Sequence, residues 1–271
     1  MSYGICSLNL ISLRAEPSHR SEEISQLLFG ETFTVLEHVN EWIKIHLSFD
    51  DYEGWIQKSQ QHPLELSEFT ELQKNKAFLS YDLVQILINH QSITSILLGS
   101  RLPWFRDGNC RIGNTTYSFE GNARQVDLLT TGKMVVENAY MYLNAPYHWG
   151  GRSPFGIDCS GLTQMAYKLS GITLKRDAWM QAEQGQAVHL LDETQVGDLA
   201  FFDNEEGKIT HVGILTSKNR IIHASGQVRV DNIDHHGIFN LDLKKYTHNL
   251  RLIKRILLML DAGCWIQDAR C

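Results

Sequence analysis

Three residues have the types and the setting for covalent chemistry: Cys159, His211 and His223. A thiolate is a potent nucleophile near neutral pH, provided that a neighbouring group takes its proton. Asp158-Cys159-Ser160-Gly161 leads into Leu162, Met165, Ala166 and Leu169, a spacing that predicts a helix with Asp158 as N-cap and Gly171 as its stop. Cys159 then stands in the first turn, where unpaired N–H groups and the helix dipole favour a thiolate. His211 and His223 are the conspicuous polar residues of two apolar segments, Thr210–Thr216 and Arg220–Ser225, joined by Ser217-Lys218-Asn219. Parity across such a turn predicts one face and a diagonal separation, so that His211 takes the Cys159 proton and His223 binds the other imidazole nitrogen. The state expected is a thiolate–imidazolium pair. Two other readings stay open: an inert buried cysteine with structural histidines, and a zinc site completed by Asp158 or His235. The wide spacing matches none of the usual short metal-ligand pairs, so no metal is assigned; His148, His189 and His248 have no visible role.

The positioning elements come in two styles. Residues 3–62 read as short strands, Ile5–Leu13, Thr32–Val39, Trp42–Leu47 and Trp55-Ile56, with clean alternation in Trp42–Leu47. That density of short strands predicts a small barrel. Residues 76–127 read as a divergent second copy, because superposing Gly30 on Gly99 also pairs Asn40 with Asn109. Leu64–Lys76 predicts a short helical connector. From about Leu128 the pattern changes to a helix over Met134–Leu143 capped by Thr131 or Gly132. The glycine-rich loop 150–156, the Cys159 helix and a helical piece over Ala178–Gln186 follow. Strands at Asp198–Phe202, Thr210–Thr216, Arg220–Ala224, Val228–Asn232 and Leu250–Arg255 complete an α+β domain over 128–255, leaving 256–271 as a tail without an assigned role.

Composition bounds the partners. The 271 residues suffice for about two domains with real cores, and the formal net charge of −6 gives no electrostatic support to nucleic-acid binding. Five scattered cysteines argue for a reducing compartment. The N-terminal residues lack the basic start and apolar core of a signal peptide, and no window is long enough to span a membrane. These point to a cytoplasmic protein, a monomer by preference, with no cofactor and no membrane or nucleic-acid partner.

Asp51-Tyr-Glu-Gly-Trp-Ile56 resembles the closing strand of bacterial SH3-like domains of cell-wall enzymes. Tyr147-x-Trp-Gly-Gly151, Asp158-Cys-Ser-Gly161, Val196-Gly-Asp-Leu-Ala-Phe-Phe202, His211-Val-Gly-Ile214 and Ile222-His-Ala-Ser225 stand in the order found in the NlpC-type papain-like cysteine peptidases. The resemblance implies a papain-like peptidase domain preceded by two small SH3-like β-barrels, with Cys159, His211 and His223 catalytic. Tyr147, with the Cys159 N–H, would meet the oxyanion. Two such barrels before the peptidase domain look like the enzymes that recycle murein peptides, which release L-Ala-γ-D-Glu from L-Lys or meso-diaminopimelate and require a free N-terminal amine. A murein tri- or tetrapeptide is then the expected substrate. Asp158, with Asp51, Glu53 and Tyr81 of the barrels, would meet the ammonium, and Arg176 and Ser160 the D-Glu carboxylate. The alternatives are a catalytically silent murein-peptide binding protein and a general cell-wall endopeptidase or thiol amidase on the same fold.

Overall fold

The computed structural model describes residues 2–126, 130–259 and 265–267. Two compact units result: Met1–Val126 with Trp149–Pro154, and Asp127–His148 with Phe155–Cys271. The residues around Leu128, where the second domain was expected to begin, lie outside the described ones, as does most of the tail with Cys264 and Cys271. Among the described residues no helix is long and apolar enough to cross a membrane.

The first unit begins with β1 (Ser2–Ile5), β2 (Leu10–Arg14), β3 (Glu23–Leu28), β4 (Thr32–Val39), β5 (Trp42–Leu47), β6 (Glu53–Gln57) and β7 (His62–Leu64), in one sheet of order β3-β2-β6-β5-β4-β1-β7. The alternation in β5 buries Ile43, Ile45 and Leu47 beside Ile11, Leu13, Leu27 and Phe33. Gly54 sits where a Cβ would lie 2.6 Å from Leu13 Cγ and 2.9 Å from the Arg14 carbonyl oxygen, so β6 closes on β2 only with glycine there. The expected strand over Ile5–Leu13 is two strands, β1 and β2. After α1 (Leu66–Lys74), where a connector was expected, come β8 (Phe78–Ser80), β9 (Val84–Ile88), β10 (Ile93–Leu97), β11 (Arg101–Leu102), β12 (Asn109–Ile112), β13 (Thr115–Phe119) and β14 (Ala123–Gln125), in sheets β10-β9-β13-β12 and β11-β8-β14. Their core of Leu87, Ile96, Leu102 and Phe119 takes in Ile5, Phe29 and Leu72, so the two strand-rich parts share apolar packing.

One turn recurs in both parts. Gly30 and Gly99 have φ of 80° and 82°, in the region glycine enters without steric cost. Glu31 and Ser100 each turn back a side chain to accept the N–H of Leu28 (2.9 Å) and Leu97 (3.2 Å).

The second unit opens with α2 (Gly132–Tyr140), capped as expected by Thr131, whose hydroxyl accepts the Met134 N–H at 3.3 Å. The segment Trp149–Pro154, with β15 (Arg152–Ser153), belongs to the first unit. Then come β16 (Gly156–Ile157), α3 (Cys159–Lys168), α4 (Ala178–Gln181), β17 (Gln186–Val188), β18 (Leu199–Asp203), β19 (Ile209–Ser217), β20 (Arg220–Ser225), β21 (Gln227–Ile233), β22 (Gly237–Asn240) and β23 (Lys245–Arg255). The sheet runs β17-β23-β18-β19-β20-β21-β22, and β22 also pairs with β23. Helix α3 is buried over its whole length between α2 and the sheet. Gly132 allows α2 to start against the backbone of Val196, where a Cβ would stand 1.7 Å from the carbonyl oxygen. The expected helix over Ala178–Gln186 is the single turn α4, because the chain reverses at Gly185 (φ 69°) and enters β17. Beyond β23, β24 (Leu257–Met259) pairs with β25 (Trp265–Gln267).

Candidate active site

Cys159 is the first residue of α3, and Asp158 before it is extended, with its carboxylate accepting the Gly161 N–H at 2.6 Å. The N-cap assignment therefore holds. Cys159 is 6% exposed. Burial pushes it up to about 12, and the Asp158 carboxylate adds to the rise. The N–H groups of Val212 and Ser160 and the Arg176 guanidinium pull the other way. The His211 imidazole is pushed well below its usual value by burial and by the neighbouring His223 and His248. Burial therefore weighs against the expected thiolate–imidazolium pair, while the helix start and Arg176 favour the thiolate. Helix-dipole stabilisation is the smaller effect once both groups are taken out of water.

The two histidines meet as their parity requires. His223 lies opposite Gly213, which puts His211 one diagonal step away on the same face. His211 Nε2 and His223 Nδ1 are 2.9 Å apart, and both side chains are buried. A Cβ on Gly213 would stand 2.9 Å from His223 Cβ and 2.7 Å from Ile221 Cδ1, so the glycine permits the approach. The connecting turn differs from expectation: Ser217 pairs with Arg220, and a register shift between Leu215 and Ser217 absorbs the odd residue.

Two further residues complete the cluster. Asp231 on β21 is fully buried and accepts from His223 Nε2 at 3.1 Å. Arg229 Nε and the Leu241 N–H also donate to it, at 2.6 and 3.2 Å. These donors hold its carboxyl below the usual carboxylate range against the cost of burial. His248 on β23 stacks on His211 with ring centroids 4.1 Å apart and 24° between planes, which corrects the reading that it has no part here. Burial and the neighbouring His223 lower it to about 4, partly opposed by Asp231. Neither residue carried a sequence signal beyond its type, because cross-strand register alone brings them in.

His211, His223 and His248 have the ring nitrogens to hold a metal. However, lone pairs lie in the ring planes, and the near-parallel rings of His211 and His248 do not aim theirs at one point. The zinc set considered from sequence is not assembled either: His235 groups with Asp234 and His236, and Asp158 is tied to Arg176.

Tyr147 is held by a parallel bridge to Ile157 and by its N–H donating to the Gly226 carbonyl at 2.9 Å, next to the turn after β20. Burial raises its phenol, with Cys159 and Asp158 adding and Arg176 opposing. Arg176 is buried and bidentate on Asp158, at 2.6 and 3.1 Å, and donates to Ser160 Oγ at 2.9 Å. The sequence reading gave Asp158 and Arg176 opposite ligand charges; the structure pairs them with each other as one charge-compensated group. Glu53, Asp51 and Tyr81 belong to the first unit. There Glu53 pairs with Lys44 at 2.7 Å, Asp51 lies 3.7 Å from His46, and the Arg124 guanidinium covers the Tyr81 ring at 3.4 Å. The arrangement in the second unit can activate a sulfur, relay its proton to an imidazole and hold a developing oxyanion.

Residues 144–246 match the NlpC/P60 family, and residues 13–60 match the bacterial dipeptidyl-peptidase SH3 domain. A γ-D-glutamyl-L-lysine dipeptidyl-peptidase of Bacillus subtilis is 29% identical over 239 residues, spanning 82% of this chain and 74% of that protein. Dipeptidyl-peptidase 6 of Lysinibacillus sphaericus is 28% identical over 266 residues, spanning 86% and 93%. An NlpC/P60 family protein from Bacillus cereus, of known crystal structure, superposes with a TM-score of 0.78 at 22% identity, over 94% of this chain and 99% of that one, a likeness of fold.

Proposed function

We infer the reaction from a chain that carries an NlpC/P60 domain behind a bacterial SH3 domain, is a cysteine peptidase, and is homologous to γ-D-glutamyl-L-lysine dipeptidyl-peptidases. It hydrolyses the γ-D-glutamyl-L-diamino acid bond of murein stem peptides with a free N-terminal L-Ala, releasing L-Ala-γ-D-Glu. Cys159 Sγ attacks the γ-carbonyl as its proton passes to His211. The Cys159 N–H and the Tyr147 hydroxyl meet the oxyanion, and the proton returns to the leaving amine of the diamino acid. Water then takes the acyl group from sulfur, with His211 as base and His223 orienting it. The observation that carries this reading is the His211–His223 hydrogen bond of 2.9 Å on strands whose Val212 N–H reaches the Cys159 sulfur at the head of α3.

Asp158, Ser160 and Arg176 act together in peptide binding, as one fixed group beside the nucleophile. A part for Asp51, Glu53 and Tyr81 in recognising the free amine belongs to the same proposal. Cys6, Cys110 and Cys159 are free thiols, which accords with work in the cytoplasm as a peptide-recycling enzyme.

Mass spectrometry of L-Ala-γ-D-Glu-L-Lys, its diaminopimelate counterpart and their N-acetyl forms tests the proposal, with Cys159→Ala as control. Release of L-Ala-γ-D-Glu from the free peptides alone is expected. Cleavage of the acetylated forms at the same rate would make the protein a general endopeptidase, and cleavage of none would leave a binding protein. Single substitutions at Asp51, Glu53 and Tyr81 should narrow the gap between free and acetylated peptide.

A further inference from the structure

A hydrogen bond between two imidazoles does not by itself say which ring donates, because each neutral ring has one N–H and one lone pair. Between His211 Nε2 and His223 Nδ1 the proton can sit on either nitrogen, and only one choice leaves His211 Nδ1 with a lone pair to accept the thiol proton. The choice is made on the next strand. Asp231 Oδ2 faces His223 Nε2 at 3.1 Å and Arg229 Nε at 2.6 Å, while Oδ1 faces Arg229 at 3.0 Å and the Leu241 N–H at 3.2 Å. A guanidinium and a backbone amide can only donate, so this carboxylate is an acceptor throughout. His223 Nε2 must then carry the hydrogen, His223 Nδ1 is left with the lone pair, and His211 donates through Nε2.

We propose that Asp231 is a positioning residue that fixes the tautomers of both histidines and thereby makes Nδ1 of His211 the base. It acts through His223 and touches no substrate. Its charge is compensated by Arg229, which also pairs with Asp242 at 2.7 Å, so the buried carboxylate persists when the histidines are neutral. When His211 takes the thiol proton, the same carboxylate lies one ring behind the new positive charge and stabilises it. The groups facing the pair are therefore Asp231 and Arg229 from β21 and His248 from β23.

The inference rests on Cys159 and His211 reacting as proposed above, but its test needs no peptide. In the full chain labelled with 15N-histidine, long-range proton–nitrogen spectra at pH 7.5 should show His211 and His223 both as Nε2–H tautomers; an Nδ1–H form of His223 would overturn the proposal outright. In Asp231→Ala, the His223 tautomer should become mixed. Alkylation of Cys159 by iodoacetamide at neutral pH should slow about 100-fold, with partial return in Asp231→Glu. A folded Asp231→Ala protein with the parent alkylation rate and pH profile would refute it, since a merely structural role would move only the melting temperature. Expected tautomers without peptide cleavage would sink the substrate reading and leave this one standing.

Discussion

A bidentate arginine–carboxylate pair with both side chains buried stands in each unit, and the two do different things. In the first unit, Arg152 donates to Glu31 at 2.9 and 3.0 Å and to the Gln26 carbonyl, with side chains 0% and 5% exposed. In the second, Arg176 donates to Asp158 at 2.6 and 3.1 Å, with side chains 1% and 6% exposed. The bonding is nearly the same. Beyond the pair itself, Glu31 accepts the Leu28 N–H and Arg152 donates to the Gln26 backbone and side-chain carbonyls, so the pair holds a segment in place. Around Asp158 lies a thiol whose proton affinity each partner shifts in opposite directions, so the second pair both holds the helix start and sets the charge beside the nucleophile. Glu31 also raises a thiol, Cys6, but that thiol is sealed in the barrel core and donates to the Leu8 and Leu27 carbonyls, so similar geometry serves structure in one unit and the setting of a nucleophile in the other.

The largest effects that break this comparison are the single arginine substitutions. Arg152→Met and Arg176→Met should each cost about 3–5 kcal/mol by chemical unfolding, since each leaves a buried carboxylate without its partner. Only Arg176→Met should also raise the pH at which Cys159 becomes reactive to iodoacetamide; an equal shift in both variants would erase the distinction. Double replacement comes next. Arg152→Met with Glu31→Leu and Arg176→Met with Asp158→Leu should each recover much of the loss yet stay lower by about 1 kcal/mol, because Glu31 also accepts the Leu28 N–H and Asp158 the Gly161 N–H. The smallest expected effect is that of Asp158→Asn. Removing the carboxylate removes a charge that opposes thiolate, so the Cys159 alkylation profile should move to lower pH by about one unit, even as stability falls. A shift to higher pH would mean that the carboxylate acts mainly through the position it gives Arg176.

How far the chain could be read ahead of its structure depended on the range of the interaction. Strands β4 and β5 were legible to the residue, β5 through an alternation that is a local property of a half-buried strand. Strand β3 was missed, since its buried positions include the polar Ser25 and Gln26 on opposite faces, and Gln26 accepts the Arg152 N–H from far along the chain. Strand β22 was missed too: Gly237, at φ 139°, begins it close against the His248 carbonyl, a contact set by β23. In the candidate site, Cys159, its cap and the facing of His211 and His223 followed from one helix start and one hairpin. Asp231, His248 and the pairing of Arg176 with Asp158 did not.

The division has one physical cause. By themselves, the residues determined where a thiol meets a helix N-terminus and which two imidazoles share a face. These depend on backbone periods and steric limits that act over a few residues. Only the tertiary structure brought in the burial that opposes charge on the pair, raising Cys159 and lowering His211 by removing water that no local pattern records. It also decided which charges remain near the sulfur, since the carboxylate and guanidinium that could each have met a ligand are bonded to one another across Asp158 and Arg176.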